Sequence, residues 1–438
     1  MPSSFEPSHS ARLSRRPVLS GALAGALLLS ACSSAPPARE ATDWLAAWGS
    51  AQLEQQLAPA SPAPAAAWQS PLRDVSLRQI VRTTVAGQTM RVRVSNLFGR
   101  EPLTLGAASV ARVQPGTESG APQLQAGSLQ PLHFQGRREL VLGPGEEAWS
   151  DPVALPVPAR ADVAVQMHIV GSPARATVHP GARIHSWAQP GGKADAVDWP
   201  DATAQPGWWH LAAVDVGGAA PQPVLVATGD SITDGYGVPS GSYQRWTDAL
   251  ARRLAAQGRP GSVVNTGIGG NRLLQDGLGP RLVSRFERDA LSRSGVTHVV
   301  LLAGVNDLGS SHRQRTTTPA SRAALLAELQ QGLTTLASQA RGRGVCLFVG
   351  TVMPYGGSGY YQPGPENEAD RQALNDWIRT PGRFDAVVDF DALVRDPARP
   401  SHLRRELDND GLHPSLAGYQ AMADFFPLPL LERRCPAR

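Results

Sequence analysis

The chain has 438 residues, 42% hydrophobic and 18% charged, a balance that excludes general disorder and, at a usual domain size of about 150 residues, predicts more than one domain. Its 44 Gly and 38 Pro predict many turns and long loops. The formal charge of +4 rests on arginine, because Lys193 is the only lysine, and the arginines are scattered rather than gathered into a stripe, which speaks against a nucleic-acid partner.

In chain order, Arg12, Arg15 and Arg16 precede an apolar run at 18–29 and small residues around Cys32, the layout of an export signal. That run is too short for a membrane-spanning helix. Leu29-Ser30-Ala31-Cys32 resembles a bacterial lipobox, in which the cysteine thiol is acylated and becomes the new amino terminus, and residues 14–19 resemble a twin-arginine signal loosened by Pro17. The expectation is a signal peptide over 1–32, lipidation at Cys32 and a Ser/Ala/Pro-rich tether over 33–42. The protein is then an exported, membrane-anchored lipoprotein that meets the membrane only through its lipid; ordinary signal cleavage and secretion is the alternative.

From 43 to 216 the pattern is that of strands. Met90, Val92 and Val94 alternate with Arg91, Arg93 and Ser95, and Val163, Val165, Met167 and Ile169 alternate in the same way, with Gly- and Pro-rich turns between runs. This predicts an all-β, sandwich-like accessory domain. After a small-residue break, apolar runs at 224–228, 263–265, 299–302, 345–349 and 386–390 alternate with helical segments, as buried parallel strands do. One helix is expected over 244–257, with Trp246, Leu250 and Leu254 on one face. Another follows Pro319, with Leu325, Leu329, Leu333 and Leu336 as its core stripe. Residues 223–438 therefore read as a three-layer, flavodoxin-like α/β domain.

In an open α/β sheet the ligand lies beyond the carboxyl ends of the strands. There stand Gly229-Asp230-Ser231-Ile232-Thr233, then Asn265-Thr266-Gly267-Ile268-Gly269-Gly270-Asn271, then Gly304-Val305-Asn306-Asp307, and near the end Asp410-Gly411-Leu412-His413. A serine hydroxyl needs a base to attack a carbonyl carbon, which His413 can be, and a carboxylate at Asp410 can hold the imidazole in one tautomer. Backbone N–H groups of Ser231 and Gly270 and the Asn306 amide can meet the oxyanion. Ester hydrolysis requires nothing else, so no cofactor is expected, and the absence of CxxC or HExxH spacing gives no support to a metal.

These four blocks resemble the GDSL, or SGNH, family of serine ester hydrolases, over residues 223–438. The resemblance places the nucleophile at Ser231, the triad partners at Asp410 and His413, and the oxyanion hole at Ser231, Gly270 and Asn306. Ile232 stands where the family name has leucine, and Gly267 and Gly269 compete with Gly270 for the second block. The resemblance implies an esterase acting on carboxylic esters through an acyl-enzyme. Short acyl chains are favoured because no long apolar lid is evident, and the partner is an ester substrate such as acylated polysaccharide or lipid. The alternatives are a lipase- or lysophospholipase-type acylhydrolase, or a non-catalytic carbohydrate-binding lipoprotein.

Other residues receive structural readings. Asp230 and Asp307 are expected to cap helices or bond loop backbone. His168, His179, His185 and His210 fall in the β part without metal spacing. His312 is a candidate pocket residue, as is the Gly- and Tyr-rich loop at 355–362. Adjacent Trp208 and Trp209 should point to opposite faces, with core packing favoured. Cys346 reads as an inert core thiol, although export permits a disulfide with Cys435.

Overall fold

The computed structural model describes residues 44–55, 70–115, 120–313 and 317–437. The expected signal, lipidated Cys32 and tether lie outside the described residues.

The β part holds three antiparallel sheets, two of them large. In the first, Trp44–Gly49, Leu211–Gly217, Gly87–Ser95 and Glu147–Trp149 lie in that order, with Val153–Val157 also pairing to Gly87–Ser95. The second runs Thr203–Pro206, His185–Pro190, Arg73–Arg82, Asp162–Gly171, Leu103–Arg112 and Gln130–Leu132, with Leu140–Leu142 also on Leu103–Arg112. The alternation has its expected cause: Met90, Val92 and Val94 are buried while Arg91 and Arg93 are half-buried. In strand Asp162–Gly171 both faces are covered, because Ala164 and Gln166 are buried together with Val163, Val165 and Met167. A third, small sheet of Trp208–Trp209, Thr177–His179 and Leu53–Glu54 matters most for the site.

The α/β part is a five-stranded parallel sheet in the order Ser262–Gly267, Val224–Gly229, His298–Leu302, Cys346–Gly350, Ala386–Val388. The last strand stops before the predicted 390, because Asp389 accepts a hydrogen bond from Ala392 N and caps helix Phe390–Val394. The predicted helices appear as Trp246–Ala256 and Pro319–Gly342. Trp246, Leu250 and Leu254 are buried on the first, and Leu329, Leu333 and Leu336 on the second, while Leu325 is only partly buried. Thr318 caps the second helix through Ser321 N, with Pro319 in its first turn where a missing N–H costs nothing. Helices cover the sheet in three layers.

The two parts share one hydrophobic core within a single compact unit. Polar ties also cross between them. Ala46 N donates to Ser294 O at 2.9 Å, Arg293 donates to Ser50 O and Ala212 O, and Tyr243 Oη donates to Asp162 at 2.9 Å. Arg293 is buried, so its guanidinium needs these acceptors to offset lost hydration.

Cys346 and Cys435 form a disulfide across 89 residues, which corrects the reading of Cys346 as an inert thiol. Its strand is buried as expected, but the C-terminal segment returns beside it, bringing the two Cα atoms to 5.2 Å. Among the described residues, no helix is long and apolar enough to cross a membrane, and no group of three or more His, Cys, Asp or Glu is placed to hold a metal ion.

Candidate active site

Strand Val224–Gly229 ends in a backbone that only glycine tolerates: Gly229 has φ +154°, and a Cβ there would lie 2.0 Å from the Leu302 carbonyl oxygen. Asp230 then caps the short helix Ser231–Asp234 by accepting from Ile232 N at 3.0 Å. The turn sets Ser231 at the carboxyl edge of the sheet. Burial pushes the Asp230 carboxyl up to about 7.

Ser231 Oγ lies 2.8 Å from His413 Nε2, although the two residues are 182 apart in sequence. His413 Nδ1 faces both Asp410 oxygens, at 2.9 Å to Oδ2 and 3.1 Å to Oδ1. A carboxylate only accepts, so Nδ1 carries the proton and Nε2 is left to accept from the serine hydroxyl. The short loop is shaped for this. Asp410 Oδ1 also accepts from the backbone N–H of His413 and Leu412, and Gly411 has φ +80°, where a Cβ would strike Gly357 at 2.2 Å. Burial works to raise the Asp410 carboxyl, but these N–H donors and the imidazole outweigh it and hold it below the usual carboxylate range. Burial lowers the pKa of His413; Asp410 opposes this and the Arg183 charge adds to it.

Asn306 begins the chain's next approach to this edge, in helix Val305–Arg313. One N–H of its amide donates to Asn271 O at 2.9 Å, which leaves the second for the cleft that Asn306 lines. Its Oδ1 accepts from Tyr361 Oη at 2.6 Å. Burial pushes the Tyr361 phenol up to about 12, so it stays a donor. Asn271 is fixed in turn by buried Arg285, which donates to its Oδ1 and to the Gly229 and Thr266 carbonyls. Asp307 accepts from Leu273 N and Leu274 N, at 2.8 and 3.1 Å, the loop-backbone role expected of it; burial pushes its carboxyl up to about 6. Gly269 and Gly270 line the cleft with Ser231, and Gly267 does not. A Cβ on Gly267 would meet Asp234 N at 2.4 Å, so that glycine serves the packing of the serine helix.

The cleft is about 1150 Å³ and is walled on one side by the β part, through Leu53, Val178, His179, Arg183, Trp208 and Trp209. Both tryptophans are buried, in keeping with the core packing expected of them, and both are also among the residues that line the cleft. Their strand is only two residues long, between Gly207 at φ +83° and His210 at φ +55°. The Trp208 indole donates to Ile80 O and the Trp209 indole to Pro206 O. His179 spans the two parts: Nδ1 donates to Ala51 O at 2.7 Å and Nε2 meets Asp234 Oδ1 at 3.0 Å, on the helix that starts with Ser231. Tyr236 stacks on the His413 ring at 4.1 Å. The loop at 355–362 borders the cleft with Ser358, Gly359, Tyr360 and Tyr361. His312 is not among the lining residues; its Nε2 faces Gln362 O at 3.0 Å.

Such a site can transfer an acyl group to serine. Residues 227–421 match the family described as the GDSL-like lipase/acylhydrolase family. This segment is a GDSL-like lipase/acylhydrolase domain. The GDSL domain is that of a serine ester hydrolase. Among solved structures, the chain is similar to a GDSL-like lipase from Bacteroides thetaiotaomicron, at 18% identity over 49% of this chain and 92% of the other, with a TM-score of 0.37. It is similar also to a lipase/acylhydrolase from Enterococcus faecalis, at 22% identity over 50% and 100%, TM-score 0.37. A third is an acetyl xylan esterase, at 18% identity over 46% and 96%, TM-score 0.36. No curated protein matches the chain significantly. Tyr361 falls in the loop expected to border the cleft, but its bond to Asn306 was not foreseen, and Tyr236, Arg285 and the His179–Asp234 pair were not identified as site residues from sequence, because none stands in a GDSL block and no local spacing marks their partners.

Proposed function

We propose that the protein is an extracytoplasmic esterase that removes short acyl groups, with acetylated carbohydrate as the substrate class, through Ser231, His413 and Asp410. The observation that carries this reading is the continuous hydrogen-bonded line from Ser231 Oγ to His413 Nε2, and from His413 Nδ1 to Asp410. His413 takes the serine proton as Oγ attacks the ester carbonyl carbon. The imidazolium is stabilised by the ionised Asp410, and the oxyanion by N–H groups of Ser231, Gly270 and Asn306. On collapse, His413 gives the proton to the leaving alcohol, and the acyl group stays on Ser231. Water, deprotonated by His413, then repeats the attack and releases the acid.

A cleft bordered by the exposed rings of Tyr236 and Tyr360 and by polar groups suits a sugar more than a long acyl chain. Anchoring outside the cytoplasm through Cys32 belongs to the same proposal and is supported by the lipobox-like sequence. The test is a panel of acyl esters and acetylated oligosaccharides, given to the soluble protein and to Ser231→Ala. Turnover confined to short acyl groups, lost in Ser231→Ala and paired with fluorophosphonate labelling of Ser231, is the expected result. Activity that survives Ser231→Ala would overturn the assignment.

A further inference from the structure

The charged groups lining the cleft are matched except for one. Asp410 is held by His413 and Asp234 by His179. Arg272 donates to Gln275 Oε1 and to the Asp276 carbonyl. Arg183 has no such partner: its Nε is buried without a hydrogen bond, and its guanidinium makes no hydrogen bond or ion pair with any described residue. It lies instead 5.7 Å from the centre of the Tyr236 ring, which is itself stacked on His413. Residue 183 has φ +53°, a left-handed conformation unfavourable for a non-glycine residue. It is pinned by Gly241 N donating to the Arg183 carbonyl at 2.8 Å and by Arg245 donating to the carbonyl of Ala182.

A guanidinium with a buried, unpaired N–H loses hydration without return unless a ligand supplies the acceptor. We infer that Arg183 is the recognition group for a carboxylate carried on the alcohol portion of the ester, so that the substrate is an acyl ester of an acidic alcohol. The inference rests on the esterase reading above. The alcohol side follows from chemistry: the leaving oxygen takes its proton from His413, so the alcohol must lie against the imidazole, on the side where Tyr236 and Arg183 stand. Carboxylate rather than phosphate follows from charge. One free cation matches a single negative charge, whereas a dianion would also meet the field of Asp410 and Asp234, which line the same cleft. Neutralising Arg183 also removes a positive charge that disfavours the imidazolium, so an acidic substrate would make His413 a stronger base on binding.

The test compares kcat/KM for 4-acetoxybenzoate and 4-acetoxybenzamide, which share an acetyl group and differ in charge on the alcohol, in the wild type, Arg183→Gln and Arg183→Lys. Taking the ratio cancels general damage to the fold. The acid:amide ratio should fall about tenfold in Arg183→Gln, the loss of one charge-assisted hydrogen bond in a partly solvated site, and be partly kept in Arg183→Lys. Calorimetry of 4-hydroxybenzoate against 4-hydroxybenzamide on Ser231→Ala, with and without Arg183→Gln, reads the same site without turnover. An unchanged ratio, or 4-hydroxybenzoate bound no better than the amide, would overturn the inference. Preference for 4-acetoxyphenyl phosphate over 4-acetoxybenzoate would overturn the carboxylate assignment. If neither ester is turned over but 4-hydroxybenzoate binds through Arg183, the esterase reading fails and the anion site stands.

Discussion

Tyr361→Phe removes one hydroxyl and tests how the Asn306 amide is held. Tyr361 Oη donates to Asn306 Oδ1 at 2.6 Å, with both residues buried. Without it, the amide oxygen is unsatisfied, at a cost of about 1–3 kcal/mol. The amide can relieve this only by turning over, which breaks the bond from its N–H to Asn271 O and points an oxygen at the developing oxyanion. The loss in kcat should therefore lie between that of one neutral hydrogen bond, about 1 kcal/mol, and that of a whole oxyanion donor, about 3–4 kcal/mol. A fall of about tenfold in kcat is expected, with KM little changed, against about 10²- to 10³-fold for Asn306→Ala. Steady-state kinetics on p-nitrophenyl acetate read both values. If Tyr361 acts only through Asn306, adding Tyr361→Phe to Asn306→Ala should cost nothing further. A raised KM with kcat near wild type, or fully additive losses in the double variant, would refute the argument.

The acidic limb of the kcat/KM profile should lie below pH 6.5, the ordinary histidine value, because burial and the Arg183 charge favour neutral His413 over its cation, and the neutral form is the base. Asp410→Asn removes the group that opposes this shift, so the limb should move further towards acid while kcat falls by about 10⁴, as when a triad carboxylate is lost elsewhere; a limb above pH 6.5 in the wild type would contradict the sign. Replacing Cys346 and Cys435 together by alanine opens a loop of 89 residues and should lower the unfolding free energy by about 2–4 kcal/mol. Denaturant titration of the oxidised protein and the double variant measures this, and equal midpoints would show that the bond does not constrain the unfolded chain.

Much of the α/β part was legible in the sequence. Val224–Gly229 and His298–Leu302 are apolar because both faces of a parallel strand are covered, and Ser231 and Asn306 follow directly because such a sheet exposes chemistry at its carboxyl edge. Asp410 and His413 were readable for a similar reason: three residues of one loop suffice to join a carboxylate to an imidazole. The β part was legible as strands, but the residues it brings to the cleft were not. His179 reaches Asp234 across 55 residues, Tyr361 reaches Asn306 across another 55, and Cys346 finds Cys435 across 89. None of these pairs has a spacing to betray it. Local pattern records what a residue needs from its neighbours in sequence, chiefly burial on one face and backbone that turns. The wall formed by His179, Arg183, Trp208 and Trp209 exists only because the small third sheet packs over the serine helix, and which side chains then meet is decided by the docking of two separately patterned surfaces.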